Sequence, residues 1–537
     1  MQDKSVLIPR GALPLPAEIV TGQIRNWLEY GLWGLMLHDN QAPWFVLIEC
    51  LQILHSQHEK GQPLFPGPRY DGVGKLAHER VEYSVPKNMI LRHLLFRDRE
   101  VMRLRGNHLA DASPLWEELV SQTKKATDGK LDVAFLKDTF HGDFNALANA
   151  LDLLRSAEVE SFGAQRWTSR HLLPLGPNML FADIDEKGNI DRLIFRRTGE
   201  LLWMMLGRAS KARAKLTEVV TDRLLNVASP WDRLARNIAR PQNEEKFPDV
   251  EKVKFNTGYL PMPSMEVYER LAEDWIALLS LKRIQVEMLL DPLMRISGLH
   301  QIIYIMDRSN DEYKGMTSPI VLDLFGSAQR NPIQKLAADI YEAHRKLPLR
   351  AAEAYLNAYA ETDEWKGILG KISRKKEAYD LIKHRLLWPG SQPAPSDEAL
   401  QEPRDQLDKV LEAYQKSSHT IWSTFANLSR KIGLVVARQR AGTWYMPNDN
   451  FLEAIVLANV TTPVEVGEFL QKLYKRYRIV IGPREAREAF KDNVLIEPFH
   501  GNVARLEERL RMLGLVDRKS DACAFVLNPY CDQEPGN

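Results

Sequence analysis

Apolar residues recur at helical spacing along most of the chain, and this pattern predicts a mainly α-helical fold. The strongest signal lies in residues 264–306, where Val267, Leu271 and Trp275 share one helical face. Residues 289–306 are apolar nearly all round, which is typical of a helix that is buried on every side. We therefore expect a helix pair in this stretch to form the centre of a domain.

Breaks in the helical pattern predict a multidomain chain. The Pro/Ser-rich stretch 389–403 is typical of a linker, because such residues do not sustain a helix. Two apolar runs around a turn at residues 186–189 predict a β-hairpin. The predicted division is a helical N-terminal region (1–250) with a β-hairpin at 179–196, a helical central domain (251–388), the linker, and a last region (404–537) that begins with a long helix from about Arg404 to Gln439.

The last forty residues predict a helix that runs directly into a β-hairpin. Val503, Leu506 and Leu510 recur at helical spacing, and Gly514 follows as a helix-ending residue. Apolar runs then flank a polar turn at residues 518–521. Together with the helix, strand and helix expected upstream, this order predicts a C-terminal winged helix-turn-helix over residues 462–531.

In a winged helix the second helix of the turn enters the major groove of DNA, and the wing lies along the phosphates. Transferred to this sequence, that arrangement predicts nucleic-acid contacts from the recognition helix, the wing tip and the helix before them. The candidate residues are Asn502, Arg505, Arg509 and Arg511, then Arg518 and Lys519 at the wing tip, and Arg484 and Arg487 on the preceding helix.

The charge of this region weakens the DNA interpretation. Between Pro463 and Cys531 there are twelve Lys and Arg against ten Asp and Glu, whereas DNA-binding modules are usually clearly basic. Glu507 and Glu508 would also oppose phosphates from within the recognition helix. A winged helix that docks on protein instead of DNA therefore remains an open alternative.

The composition of the whole chain does not indicate a particular binding partner. The 537 residues carry 72 Lys and Arg against 71 Asp and Glu, so no overall field favours nucleic acid or a membrane surface. Three cysteines are too few for a disulfide framework, which is consistent with a reducing compartment. The chain has no run of apolar residues long enough to span a bilayer. We expect a cytoplasmic protein with no membrane partner.

Carboxylates and arginines near the predicted hairpin suggest two weaker sites. Asp183, Asp185 and Glu200 could hold a divalent metal if they shared a face, as the carboxylates of metal-dependent nucleases do. Arg196 and Arg197 precede a predicted helix, whose N-terminus would suit a bound anion. Solvated acidic side chains on a hairpin and solvated arginines at an ordinary strand-to-helix turn are the commoner explanations of these two patterns. The sequence therefore predicts no cofactor, no metal and no catalytic residue.

Two stretches resemble components of bacterial antiphage defence operons of the methylation-associated type. They are residues 191–208, with the sequence DRLIFRRTGELLWMMLGR, and residues 268–275 continuing through 299–304. The resemblance implies a cytoplasmic accessory protein that works beside a methyltransferase, an ATPase or a nuclease encoded nearby. It implies no catalytic residue for this chain.

These observations lead to one main hypothesis and two alternatives. The main hypothesis is a non-enzymatic subunit of a multi-protein antiphage defence system that engages DNA or serves as a scaffold for other defence proteins. The first alternative is a metal-dependent nuclease subunit that uses Asp183, Asp185 and Glu200. The second is a winged-helix module that binds protein without DNA.

Overall fold

The fold is mainly helical, as the periodicity predicts. It is taken from a computed structural model. The structure describes residues 7–16, 23–37, 42–70, 76–77, 80–97, 101, 112–159, 166–185, 187–191, 195, 197–226, 229–241, 252–315, 318–326, 331–388, 395–418, 421–439, 441–520 and 523–531.

The N-terminal part combines helices with two short antiparallel strand pairs. Its helices are α1 (Ile24–Trp33), α2 (Pro43–Glu59), α3 (Met89–Arg92), α4 (Ser113–Ala126), α5 (Leu136–Thr139), α6 (Phe144–Ser156), α7 (Thr198–Gly207), α8 (Arg213–Val220) and α9 (Pro230–Ala239). Its strands are β1 (Arg69–Tyr70), which pairs with β2 (Leu76–Ala77), and β3 (Glu82–Pro86), which pairs with β4 (Lys252–Asn256).

The helix pair expected in residues 264–306 is present at the centre of the molecule. It consists of α10 (Glu266–Leu279) and α11 (Val286–Tyr313). Helix α11 packs against α10 and α2, and it is buried on nearly all sides, as its apolar sequence predicts. The elements that follow are β5 (Ile320–Val321), α12 (Pro332–Tyr359), α13 (Asp363–Leu369) and α14 (Arg374–Arg385).

The predicted long helix from Arg404 to Gln439 is wrong. The chain forms α15 (Pro403–Ser417) and α16 (Ile421–Lys431), then turns into the hairpin of β6 (Val435–Arg438) and β7 (Gly442–Tyr445). The turn depends on Gly433, whose φ of +82° suits glycine. The last elements are α17 (Asp449–Asn459), β8 (Val464–Glu465), α18 (Val466–Tyr477), β9 (Ile479–Val480), α19 (Pro483–Phe490), α20 (Glu497–Met512), β10 (Val516–Ser520) and β11 (Cys523–Val526).

Contacts cross the expected boundary between the central and C-terminal regions. Strand β5 pairs in parallel with β9, so Ile320 lies opposite Ile479 and Val321 opposite Val480. The buried apolar core is continuous from Ile24 to Val526. The C-terminal elements are therefore built onto the central helices by both backbone pairing and apolar packing.

The hairpin expected at residues 179–196 is present as a tight turn. Ile184 and Ile190 form a single antiparallel bridge, and the Asp185 N–H donates to the Asn189 carbonyl oxygen at 2.9 Å. Gly188 supplies the positive φ of the turn, at +83°. The turn is therefore present, whereas residues 192–194 and 196, which would carry most of the second strand, lie outside the described residues.

Helix α7 meets α2 so closely that one position accepts only glycine. A methyl group at Gly199 would lie 2.6 Å from the Val46 carbonyl oxygen and 2.7 Å from the Cys50 amide nitrogen. Both atoms belong to the backbone and cannot rotate away. We expect Gly199→Ala to lower the free energy of unfolding by about 2 kcal/mol in urea denaturation.

Gly367 is the matched control, because it lies in α13 with no atom near the position of an added methyl group. Gly367→Ala should raise the free energy of unfolding by about 0.5–1 kcal/mol, because alanine has the higher helix propensity. Equal effects of the two substitutions would contradict the close packing of α7 on α2.

A buried carboxyl group makes stability depend on pH. Burial raises the pKa of Glu29 from 4.5 to about 7, although its Oε1 accepts from Arg25 Nε at 2.8 Å and its Oε2 accepts from the Leu37 N–H at 2.8 Å. The folded protein thus binds this proton more tightly than the unfolded chain. The resulting stability is complete below pH 4.5 and is lost as the pH rises through about 7.

We expect the wild-type protein to lose about 2 kcal/mol more unfolding free energy between pH 5 and pH 8 than Glu29→Gln does. Urea denaturation of both proteins at the two pH values measures this difference. Since all other titrating groups are common to both proteins, identical pH profiles would show that the Glu29 carboxyl keeps an ordinary pKa.

Candidate nucleic-acid interface

The C-terminal module, residues 464–531, contains three helices and a three-stranded sheet. The hairpin of β10 and β11 places Val516 opposite Val526, and β11 also pairs with β8, where Phe525 lies opposite Glu465. The predicted order of helix, strand, helix, helix and hairpin is present. One detail differs, because β9 pairs with β5 of the central region and β8 joins the hairpin sheet instead.

The hairpin projects directly from the end of α20. Gly514 adopts a φ of +71° after the helix, and buried Leu515 anchors the start of the sheet. Arg518 and Lys519 lie within β10, whereas the sequence predicts them in the turn, and both side chains are exposed. The Lys519 Nζ lies 2.5 Å from an Asp517 carboxylate oxygen.

Asn502 is not a groove contact, and that prediction is wrong. Its side chain is fully buried. Its Oδ1 accepts from the Leu324 N–H at 2.9 Å, and its Nδ2 donates to the carbonyl oxygens of Leu322 at 2.9 Å and Ile481 at 3.0 Å. The residue therefore joins α20 to the ends of β5 and β9. Its position one turn from buried Leu506 is the sequence signal that could have assigned it to the inner face.

The arginines of α20 differ in how far they are exposed to solvent. Arg509 donates from Nε to an Asp449 carboxylate oxygen at 3.1 Å and from Nη2 to the Pro447 carbonyl oxygen at 3.0 Å, so it holds α20 against the chain before α17. Arg505 is exposed, with its Nη1 2.7 Å from Glu508 Oε2. Arg511 is exposed as well. Two of the three arginines thus face solvent.

Helix α19 adds further exposed positive charge. Arg484 and Arg487 are both exposed, as predicted. Once the Gln471 amide is oriented to accept, Arg484 donates to it from Nη2 at 2.8 Å and from Nε at 3.2 Å. The sequence interpretation missed Lys491, which is exposed immediately after this helix.

Burial changes the charge balance that the sequence gives for this region. Among the described side chains of residues 463–531, nine Lys and Arg are exposed but only five acids are, and over residues 483–520 alone the exposed counts are seven and three. Glu485 is buried, and Glu507 and Asp517 are half-buried. The solvent-facing surface is therefore more basic than the count of twelve against ten suggested, which favours an anionic partner.

A buried polar cluster fastens the module to the central helices. The Asp274 carboxylate on α10 accepts from Tyr477 Oη at 2.7 Å, pairs with Arg476, and lies 2.7 Å from His300 Nε2 on α11. Asn459 on α17 donates to the Tyr477 hydroxyl at 2.8 Å. Burial raises the pKa of Tyr477, so its phenol stays protonated.

The weak anion site proposed at Arg196 and Arg197 is occupied by the protein's own carboxylates. The Glu49 carboxylate accepts from the Gly199 N–H in the first turn of α7 at 2.8 Å. Arg197 Nη1 lies 3.4 Å from Glu200 Oε2. Because the helix N-terminus already holds an acidic side chain, the prediction for Arg197 is wrong. Arg196 lies outside the described residues.

The proposed nuclease carboxylates do not form a metal site. Asp183 is buried and accepts from Ser169 Oγ at 2.8 Å, and Glu200 is buried and accepts from Tyr83 Oη at 2.8 Å. Asp185 closes the turn instead, where hydrogen bonds from Asn189 lower its pKa. Across the described part of the chain, no three His, Cys, Asp or Glu side chains are grouped to hold a metal ion. The nuclease alternative thus loses its proposed site.

A cavity of about 360 Å³ opens between α2, β3 and residues 177–180. Its walls are mostly apolar, and Asn178 and Arg240 contribute polar groups. Burial lowers the pKa of His55, which also lines the cavity, to about 4, so its imidazole is neutral near pH 7. Ser56, His58 and Glu59 also line the cavity, where the Ser56 hydroxyl accepts from the Ser84 N–H at 2.8 Å and the Glu59 carboxylate pairs with Lys252 at 2.8 Å.

Substitution of Asn502 tests whether α20 is anchored as described. Asn502→Ala would leave three buried backbone groups without partners, so we expect the free energy of unfolding to fall by about 3 kcal/mol. Chemical denaturation measures the loss. Exposed Asn493 provides the matched control, for which Asn493→Ala should change stability by less than about 0.5 kcal/mol. A tolerated Asn502→Ala would mean that the helix is held by other contacts.

Comparisons with known proteins leave the interface to be interpreted from its own residues. No protein-family model, no curated protein and no solved structure matches this chain. Within the ranges that the structure describes, none of the helices combines the length and the apolar character needed to cross a membrane.

Proposed function

We propose that this protein is a non-enzymatic, DNA-engaging subunit of a bacterial antiphage defence assembly. In this proposal the C-terminal module is a winged helix that contacts the phosphates of duplex DNA through its wing and the C-terminal half of α20. The observation that carries the proposal is the exposed surplus of Lys and Arg over residues 483–520. The defence context rests on the sequence resemblance.

The ion pairs on this surface do not prevent phosphate binding. Arg505 pairs with Glu508 and Lys519 with Asp517, and all four side chains are about half-exposed, between 43% and 65%. Exposed pairs of this kind contribute only about 0–1 kcal/mol, and a cationic side chain can rotate from its neighbour to a phosphate. Arg518 adds a guanidinium to the same strand.

An apolar side chain favours protein docking as the second candidate function. Met512 is 72% exposed at the end of α20. It lies one turn after Glu508 and two turns after Arg505, so the three residues share a helical face. A protein partner would remove this apolar side chain from water, which contact with phosphates would not do. A winged helix that binds another defence protein would use this face.

Removal of the exposed positive charge tests the DNA proposal. We expect Arg505→Ala, Arg511→Ala, Arg518→Ala and Lys519→Ala together to weaken binding to a fluorescent duplex about thirtyfold or more at physiological salt. The dependence of log Kd on log salt concentration should also become shallower by about 3, because up to four phosphate contacts are lost. Fluorescence anisotropy across a salt series measures both quantities.

The control removes the same formal charge from the α13–α15 surface. It combines Lys371→Ala, Arg374→Ala, Lys375→Ala and Arg404→Ala, whose side chains are exposed and paired with acids. We expect the control to bind duplex as the wild-type protein does. Equal losses in the two variants would point to a general charge effect, and absence of duplex binding in the wild-type protein would favour protein docking.

A further inference from the structure

We infer that the C-terminal module binds duplex DNA through the phosphate backbone without reading the base sequence. This inference rests on the proposed function and goes further, because it specifies what the module recognises. It follows because the N-terminal half of α20 packs against the segment after β5, while the C-terminal half carries exposed cationic side chains.

The N-terminal half of α20 is committed to the body of the protein. Phe499 is fully buried, and Asn502 forms three hydrogen bonds to the backbone of residues 322, 324 and 481. A methyl group at Gly501 would lie 3.0 Å from the Phe325 ring. The first turns of this helix therefore pack against the segment after β5.

Base reading by helix-turn-helix proteins normally uses the N-terminal residues of the recognition helix, which enter the major groove. In this chain the same end lies against residues 322–325. The hydrogen-bonding groups of Asn502, the only amide side chain of α20, are satisfied within the protein. Asn and Gln amides are the side chains that pair most specifically with adenine, so this form of readout is not available from α20.

The exposed cations lie at the opposite end of α20 and beyond it. Arg505 and Arg511 face solvent in the second half of the helix, and Arg518 and Lys519 continue on β10, which packs against α20. The acidic Glu508 between the two arginines disfavours deep insertion among phosphates. A cationic helix end beside a cationic wing suits contact with the edge of a groove, where phosphates position a protein but carry no sequence information.

The test uses the full-length protein and a panel of duplexes of equal length, about 24 base pairs each. The panel contains A·T-only, G·C-only and several mixed sequences, and binding is measured by competition at salt concentrations between about 50 and 200 mM. We expect Kd values within about threefold of one another at each salt concentration, with a common salt dependence. Repeated selection from a randomised duplex library should enrich no motif.

The Arg505→Ala variant distinguishes a phosphate contact from a merely structural role of this side chain. It should weaken binding to every duplex by the same factor and make the salt dependence shallower by about 1. Glu508→Gln, which removes a negative charge from the same face, should strengthen binding uniformly.

The outcomes separate the two proposals. A single sequence bound about thirtyfold more tightly than the others, or an Arg505→Ala loss confined to one sequence, would overturn the inference and leave the DNA function intact. No measurable binding to any duplex at low salt would overturn both.

Discussion

The burial of helix α11, which is complete over residues 292–306, is the constraint on which the rest of the structure depends. Most polar side chains on a buried stretch of helix must find their hydrogen-bond partners within the protein. The Tyr304 hydroxyl donates to the Trp33 carbonyl oxygen at 3.1 Å. Gln301 Nε2 donates to the Thr198 carbonyl oxygen at 3.0 Å. Arg295 Nη1 donates to the Ile432 carbonyl oxygen at 2.7 Å. His300 Nε2 lies 2.7 Å from Asp274 Oδ2. These bonds fix α1, α7, α16 and α10 around one axis, because a buried group that loses its partner costs about 1–3 kcal/mol.

The C-terminal module takes its orientation from this centre. Asp274, which bonds to His300, also receives Tyr477 and Arg476 from α18, while Asn502 ties α20 to the backbone beside β5. The module is therefore held at both its first and its third helix. Because this anchoring packs the N-terminal half of α20 against the backbone beside β5, the C-terminal half is the part that a partner can reach. The packing of the core thereby limits where the proposed DNA contact can lie.

The sequence predicted the helical fold, the buried central pair and the order of elements in the module, because these depend on local periodicity and on residues such as Gly514. It misplaced Asn502 and the anion site, because both depend on contacts between distant parts of the chain. The long helix failed for a related reason. Residues 435–445 form a hairpin whose Trp444 donates to Asp323 at 3.0 Å, so tertiary packing overrides the local pattern. The charge of the interface was underestimated, since burial of Glu485 is not visible in a count.

We propose that duplex DNA contacts the C-terminal half of α20 and the β10–β11 hairpin, while the N-terminal half of α20 stays packed against residues 322–325. Site-specific photocrosslinking tests this most directly, with a crosslinking side chain placed at exposed Met512, Ser520 or His500 of the full-length protein. We expect crosslinks to duplex DNA from Met512 and Ser520 and none from His500. Crosslinks from His500 alone, or from none of the three positions under conditions where duplex is bound, would contradict it.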